Sequence, residues 1–325
     1  MAMGIGNAST ILQCIGNTPL VELGPIRPAG CARILVKLES ANPTGSMKDR
    51  MALEMIEAAE RDGRLKPGGH VVEYTAGSTG VSLAFICAVK GYSLSIVTSD
   101  AFSVEKRDQM AAYGAELTLV HSEDGGMNAA LTRDMIAKAA DITRRTGGFW
   151  TNQLNNPDQI AAYHRMGEEI WQQTGGRVDA FVQSVGSAAS ARGVSEALHA
   201  RNASIRCVAV EPRESAVLSG GPSGVHRIEG VGPGFVTSLW RRESMDAIES
   251  VSSGEAMQAA RALARHEGIF AGTSSGANLA VALRLGQQLG PQATIVTLVC
   301  DSGMKYLSTE LFGAARPPAE TAVDA

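Results

Sequence analysis

Short apolar runs that alternate with helix-length amphipathic segments are the feature that most restricts the fold of this 325-residue chain. Eight segments with a helical pattern lie between these runs or follow them, namely Lys48–Asp62, Thr79–Lys90, Val104–Tyr113, Asn128–Arg145, Gln159–Thr174, Ala189–Ala200, Gly254–His266 and Ser275–Leu289. Strand–helix alternation of this kind predicts a mostly parallel sheet with helices on both faces. The candidate strands are Ala32–Leu38, His70–Tyr74, Ser93–Thr98, Glu116–Val120, Ala180–Val185, Ile205–Val210 and Thr294–Cys300.

Charge and composition exclude several classes of function. The formal net charge of −4 offers no basic excess for nucleic acid or an anionic membrane surface. The best apolar run, Val81–Val89, is too short to cross a bilayer, and the first residues lack a secretory pattern. Five widely spaced cysteines without a C-x-x-C pair, and histidines without ligand spacing, predict neither disulfides nor a metal site. We therefore expect a cytoplasmic protein.

Three loops rich in hydroxyl and small side chains each follow a strand or extended segment and open a helix. They are Thr75–Gly80, Gly186–Ser190 and Ala271–Ala277. Backbone N–H groups at a helix start point toward an anion, and hydroxyls add donors. The loops are expected to meet at one edge of the sheet, where α/β proteins bind ligands. Each loop taken alone is equally compatible with an ordinary capped turn.

A lysine at the start of a predicted helix is electrostatically unusual. The segment Asn42–Arg50 reads NPTGSMKDR, in which Ser46 can cap the helix and Lys48 lies in its first turn. The positive end of the helix dipole disfavours a cation there by a few tenths to ~1 kcal/mol, so Lys48 should lose its proton more easily. Such a lysine suits imine formation, although the spacing alone also fits an ordinary solvated lysine.

Five motifs, taken together, carry a family resemblance over nearly the whole chain. They are IGNTPL at 15–20, NPTGSMKDR at 42–50, GVHRIEGVGPGF at 224–235, GTSSGA at 272–277 and DSGMKYLST at 301–309. With them the chain resembles the cysteine synthase (O-acetylserine sulfhydrylase) family. More broadly, it resembles the fold-type-II pyridoxal phosphate enzymes, such as cystathionine β-synthase and threonine dehydratase.

The resemblance implies a fold and a domain organisation. It implies two three-layer αβα domains with mostly parallel sheets, similar to the β subunit of tryptophan synthase. Residues 1–41 and 157–313 would form a large domain that binds pyridoxal 5′-phosphate. Residues 42–156 would form a smaller, mobile domain that binds the substrate. Residues 314–325, which are rich in alanine and proline, are expected to be disordered.

The resemblance also implies roles for matched residues. Lys48 takes the position of the lysine that binds the cofactor as a Schiff base. Ser274 takes that of the serine at the pyridine nitrogen, with Ser275 as the alternative if the match slips by one residue. The cofactor phosphate would bind at Gly186, Ser187, Ala188, Ala189 and Ser190. The substrate carboxylate would bind at Thr75, Ala76, Gly77, Ser78, Thr79 and Gln153, and Ser78 would also contact the cofactor.

Four residues depart from the family pattern. Ser78 stands where the family has an asparagine that contacts the 3′ oxygen of the cofactor, and Ala76 replaces a substrate-facing serine. Ala188 and Ala189 replace two glycines of the phosphate loop. A positive φ at either alanine would be strained. These changes affect the substrate more than the cofactor.

The activity implied is β-replacement on an activated L-serine, of the O-acetylserine or O-phosphoserine type, through an aminoacrylate intermediate. A small nucleophile such as sulfide would add, and the enzyme would be a homodimer. Two alternatives keep the cofactor: β-elimination, as in a cysteine desulfhydrase or a serine/threonine dehydratase, and β-replacement with a different nucleophile. A third is a catalytically inactive relative that binds a ligand or a partner enzyme. A dinucleotide-binding protein is disfavoured because the G-x-G-x-x-G motif is missing.

Overall fold

The chain folds around two separate sheets. The computed structural model describes residues 8–123 and 129–313. The first sheet has six strands in the order β1-β2-β10-β7-β8-β9, and only the pairing of β1 with β2 is antiparallel. Its strands are β1 (Leu20–Glu22), β2 (Arg33–Leu38), β7 (Ala180–Ser184), β8 (Arg206–Pro212), β9 (Ala247–Val251) and β10 (Thr294–Val299).

The second sheet has four parallel strands in the order β5-β4-β3-β6. Its strands are β3 (His70–Tyr74), β4 (Ser93–Ser99), β5 (Glu116–Val120) and β6 (Phe149–Trp150). The helices of the described residues are α1 (Lys48–Arg61), α2 (Ser78–Lys90), α3 (Val104–Ala112), α4 (Ala129–Thr146), α5 (Gln159–Thr174), α6 (Ala189–Arg201), α7 (Ser253–Glu267) and α8 (Thr273–Leu289).

Each sheet is covered by helices on both faces, which gives two three-layer αβα units. Side chains of α5 and α6 pack on one face of the six-stranded sheet, and those of α7 and α8 pack on the other. The four-stranded sheet has α1, α2 and α3 on one face and α4 on the other. Burial on both faces explains why the central strands are nearly continuous apolar runs. The predicted fold class is confirmed.

Helix α1 belongs to both hydrophobic cores. Met51 and Met55 pack into the core of the six-stranded sheet, whereas Ala52, Ile56 and Ala59 pack into that of the four-stranded sheet. Residues four apart share one helix face, so these two sets form two adjacent stripes. The first turn of α1, which carries Lys48, is therefore held between the two units.

The predicted helices all occur within two residues of their expected ends, but three strands were missed. The unpredicted strands are β1, β6 and β9. The first two are short edge strands, and β9 also lies at an edge, where its burial is partial. Their hydrophobic pattern is correspondingly weak. The predicted helix residue Asn128 and the predicted disordered tail 314–325 lie outside the described residues.

Candidate active site

The loops at the carboxyl ends of the parallel strands enclose a cavity of about 770 Å³ between the two units. Three walls come from the loop after β3, the loop after β7 and the residues that follow β10. The starts of α1, α3 and α8 and the segment 225–231 add to the lining. Ligands bind at such strand ends in open α/β sheets. The three hydroxyl-rich loops predicted to meet are thus brought together.

Most of the residues singled out in the sequence line this cavity. They are Lys48, Thr75, Ala76, Gly77, Ser78, Thr79, Gln153, Gly186, Ser187, Ser190 and Ser274. Ala188 and Ala189 do not line it, because both are buried behind the loop. Ser275 also lies off the wall, and its hydroxyl accepts a hydrogen bond from the backbone N–H of Cys300 at 2.9 Å. Of the two adjacent serines, Ser274 is therefore the one that faces the cavity.

Lys48 is the first residue of α1 and is half-buried on the cavity wall. Burial lowers the pKa of its ammonium, and the nearby Cys300 and Asp301 oppose that shift only in part. The Ser46 hydroxyl accepts the Lys48 backbone N–H at 3.2 Å, although the helix N-cap is Met47 rather than Ser46. A lysine in this setting is easier to deprotonate, as expected, but burial is the main cause.

The loop after β3 is held in place by side-chain packing and by hydrogen bonds to Gln153. Gly77 has a φ of +143°, and a Cβ built there would lie 2.3 Å from Cδ of Lys106, so only glycine fits. The Thr79 hydroxyl donates to Oε1 of Gln153 at 2.7 Å, and Nε2 of Gln153 donates to the Tyr74 carbonyl at 2.8 Å. Gln153 is therefore fixed against the loop that it was predicted to assist.

The buried carboxylate of Glu73 lies beneath this arrangement. It accepts the Gln153 backbone N–H at 2.9 Å and the Thr151 hydroxyl at 2.6 Å. Burial raises the pKa of Glu73 to about 7, although the hydrogen bonds to its carboxylate oppose the shift. Sequence reasoning missed Glu73, which lies inside β3 and looks like an ordinary strand residue.

Glu73 should make folding pH-dependent. Its folded-state pKa of about 7 exceeds its usual value of 4.5, so its contribution to stability is lost as the pH rises through 7. We expect the free energy of unfolding to fall by about 2–4 kcal/mol between pH 5 and pH 8. Urea denaturation across this range should show a flatter dependence for Glu73→Gln. An exposed change, Asp134→Asn, should keep the original slope, and equal slopes in all three proteins would refute the assignment.

The loop after β7 contains the strain that its sequence suggested. Ala188 adopts a φ of +73°, a conformation that usually favours glycine, immediately before α6. The Thr237 hydroxyl holds the Ser187 carbonyl at 2.9 Å, and a Cβ on Gly186 would lie 2.5 Å from the Gly230 carbonyl oxygen. The loop is packed from outside, and this packing offsets the cost of the strained residue.

Sequence reasoning missed Asp301, which follows β10 in the DSGMKYLST motif. Its side chain is 4% exposed and lines the cavity. Oδ2 accepts the Ser78 hydroxyl at 3.0 Å and the Tyr306 hydroxyl at 2.8 Å. Its position after a central parallel strand was the available signal. Ser78, the serine that departs from the family pattern, is thus directed by a carboxylate.

Buried polar atoms without a hydrogen-bond partner concentrate at the cavity. Six such side-chain atoms occur in the described ranges, and five of them belong to residues of the cavity wall. Buried polar groups in native proteins are almost always paired, so this concentration indicates a polar ligand. The five are Ser103 Oγ, Arg107 Nε, Gln183 Oε1, Ser184 Oγ and Asp301 Oδ1.

One cluster with metal-ligand chemistry occurs among the described residues, away from the cavity wall. It consists of His199, Cys207 and Asp246. Nε2 of His199 already bonds the Ile205 carbonyl at 2.9 Å, and burial raises the pKa of the Cys207 thiol to about 12. These contacts give the cluster a structural role in joining α6 to β8 and β9.

A cavity at the strand ends of two mostly parallel sheets, with a half-buried lysine on its wall, is typical of an enzyme that binds a cofactor. Residues 11–301 match the family model described as "Pyridoxal-phosphate dependent enzyme". The chain belongs to this family.

Similar proteins of known activity indicate which pyridoxal-phosphate enzymes this chain resembles. Cysteine synthase from Staphylococcus aureus is 41% identical over 304 residues, which cover 93% of this chain and 96% of that protein. The crystal structure of O-ureido-L-serine synthase is 34% identical with a TM-score of 0.90, covering 97% of this chain and 98% of that one. Cysteine synthase from Entamoeba histolytica is 38% identical with a TM-score of 0.88, covering 96% and 93%.

The chain is accordingly a pyridoxal-phosphate enzyme of the cysteine synthase type, which carries out β-replacement on an activated L-serine. The residues present fit that cofactor. Lys48 faces the same cavity as the hydroxyls of Ser78 and Ser274, and the unpaired polar atoms of Gln183 and Ser184 lie at the end of β7, before the loop matched to the phosphate. In the described parts of the chain, no helix combines the length and apolar character that a membrane span requires.

Proposed function

We propose that this enzyme makes L-cysteine from O-acetyl-L-serine and sulfide, with acetate as the leaving group. The observation that carries the proposal is the placement of Lys48 on one wall with the Thr75–Thr79 loop and Ser274 on the same cavity. Lys48 can then move a proton at the substrate Cα while the Thr75–Thr79 loop binds the substrate carboxylate. The similarity to curated cysteine synthases supports this choice of substrates.

Each of these residues has a distinct task in the proposal. The bound cofactor supplies an electron-withdrawing ring attached to the substrate amine. Lys48 acts as general base at the substrate Cα, a role that its lowered pKa favours. The N–H groups and hydroxyls of Thr75–Thr79 hold the substrate carboxylate together with Gln153. The neutral Ser274 hydroxyl would hold the ring nitrogen of the cofactor, which would leave the ring less electron-withdrawing than a carboxylate partner would and so favour departure of the β-substituent.

The phosphate of the cofactor is assigned to the start of α6. Residues 186–190 precede or open this helix, and its first N–H groups would donate to the cofactor phosphate at the helix N-terminus. Gly186, Ser187 and Ser190 contribute the lining, whereas Ala188 and Ala189 contribute only backbone.

The proposal also includes a mobile unit 42–156, a large unit of 1–41 and 157–313, a homodimer and a cytoplasmic location. All five cysteines are free thiols, which fits a reducing compartment.

Product analysis tests the reaction directly. Purified holoenzyme should convert O-acetylserine and sulfide to cysteine with equimolar acetate, and O-phosphoserine, serine and cysteine are tested in parallel. Pyruvate and ammonia without a new amino acid would establish elimination instead. Failure with sulfide but success with another nucleophile would keep β-replacement and reject cysteine as the product.

A further inference from the structure

Two of the five unpaired polar atoms on the cavity wall have no part in the proposed binding of cofactor and amino acid. They belong to Ser103, the N-cap of α3, and to Arg107 on α3, whereas the other three belong to the last two residues of β7 and to Asp301 after β10. A buried donor without a partner is destabilising, so a native protein retains it where a ligand completes the bond. The wall at α3 therefore has binding capacity that neither the cofactor nor the amino acid uses.

The Ser103 hydroxyl is free to bind a ligand, because it does not cap its own helix. It is the N-cap residue of α3, a nine-residue helix, but its side chain makes no capping hydrogen bond. The residue is 5% exposed, and its Oγ has no partner. An N-cap serine ordinarily bonds the N–H groups of the first turn. Here the Ser103 hydroxyl is available to an anion, whereas the first-turn carboxylate of Glu105 is engaged by its own backbone N–H and by Ser308.

Arg107 lies one turn further along the same face of α3. Its guanidinium donates no hydrogen bond to any residue in the described ranges, and no acidic side chain there pairs with it. The other arginine and the α3 lysine on the wall are paired, since Lys106 meets Glu229 at 2.6 Å and Arg227 meets Glu310. The planar set of donors on Arg107 is thus not paired with an acidic side chain of the described residues, and it matches the geometry of carboxylate and phosphate oxygens.

We propose that Ser103 and Arg107 form a subsite for an oxyanion, a carboxylate or a phosphate, carried by a reactant in addition to the α-carboxylate of the amino acid. The inference rests on the proposed function, which assigns that α-carboxylate to Thr75–Thr79 and Gln153. Two sources share this chemistry. One is the phosphate that leaves from O-phosphoserine, and the other is the acidic group of an incoming thiol or amine.

Steady-state kinetics of Arg107→Met separates these sources. The holoenzyme is assayed with three reactant pairs: O-acetylserine with sulfide, O-phosphoserine with sulfide, and O-acetylserine with mercaptoacetate. We expect KM for the reactant that carries the extra oxyanion to rise about tenfold more than KM in the sulfide and O-acetylserine pair. A selective rise for O-phosphoserine identifies the leaving group, and one for mercaptoacetate identifies the nucleophile. Equal changes for all three pairs would overturn the subsite.

Matched variants control for folding and general charge. Arg107→Lys keeps the positive charge but loses the planar guanidinium group. Its KM for the reactant with the extra oxyanion should lie between the KM of the unaltered enzyme and that of Arg107→Met. Ser103→Ala should show the same selectivity with a smaller effect, because its hydroxyl makes no capping bond that the change could break. Arg144→Met removes an exposed arginine on α4 and should show no selectivity.

Calorimetry keeps the subsite testable even if none of these reactions occurs. Inorganic phosphate and succinate are titrated into cofactor-loaded protein and into its Arg107→Met variant. At least about tenfold weaker binding of one of the two anions by the variant supports the subsite. Equal affinities, or no binding to either protein, would reject it. Loss of turnover with retained anion binding would reject the proposed function alone.

Discussion

Replacing Lys48 with alanine is expected to remove both the visible absorption of the bound cofactor and the catalytic activity. The side chain that would bind the cofactor is the same one that would move the proton at the substrate Cα, so a single change removes both roles. We expect turnover to fall by about 10³-fold or more. Absorption spectra of purified Lys48→Ala, recorded before and after the addition of pyridoxal phosphate, give the first measurement.

Mass spectrometry identifies the lysine that carries the cofactor. Borohydride reduction of the unaltered enzyme should leave a cofactor adduct on the peptide that contains Lys48. Lys106 also lines the cavity and is the informative competitor, although its ammonium is engaged by Glu229 and by the ring of Tyr306, 4.1 Å from the ring centre. Lys66→Ala, an exposed change, should leave spectrum and turnover unaltered. An adduct on Lys106, or an unchanged spectrum in Lys48→Ala, would overturn the assignment.

The local sequence pattern predicts those parts of the fold and of the site that depend on residues close together in the chain. The helix of α1 follows from its periodicity, and the loop Thr75–Gly80 follows from the turn chemistry between β3 and α2. The same local reasoning identified Lys48 as electrostatically unusual. It missed β9, because a partly buried edge strand has only a weak alternating pattern.

Contacts between residues far apart in the chain left no comparable signal. Asp301 accepts a hydrogen bond from the hydroxyl of Ser78, which lies 223 residues earlier. No local sequence feature predicts that contact. Likewise, Glu73 holds Gln153 across 80 residues of chain. Comparison with the glycines of the family indicates that a positive φ at Ala188 or Ala189 would be strained. Only the packing of Thr237 and Gly230 around that loop shows why it is tolerated.

The largest effect on stability is expected from Arg50, which connects α1 to the six-stranded sheet and its helices. Its guanidinium is 4% exposed and bonds Glu39 at 2.7 and 2.9 Å and Glu169 at 2.7 Å twice. Lys37 bonds the same Glu169 at 2.7 Å. Burial opposes ionisation of Glu169, but the bonds and charge of Arg50 prevail and hold the pKa of Glu169 at about 2.

Arg50→Met should therefore destabilise the protein by about 3–5 kcal/mol, since the fully buried Glu39 loses its cationic partner. Arg61→Met is the matched control on the same helix. Arg61 is exposed, and its partner Glu54 keeps Arg165, so this change should cost far less stability than Arg50→Met. Urea denaturation of the cofactor-loaded proteins at pH 7 compares the two variants.

A paired substitution separates loss of an ion pair from loss of packing. Adding Glu39→Gln to Arg50→Met removes the buried charge that the single change leaves alone, so the double variant should regain part of the lost stability. If packing of the Arg50 side chain were the main contribution, the second change would add its own cost instead. Because α1 begins at Lys48, two residues before Arg50, the single variant should also bind pyridoxal phosphate more weakly than Arg61→Met. Equal unfolding free energies for the Arg50 and Arg61 variants would show that the buried network does not position this helix.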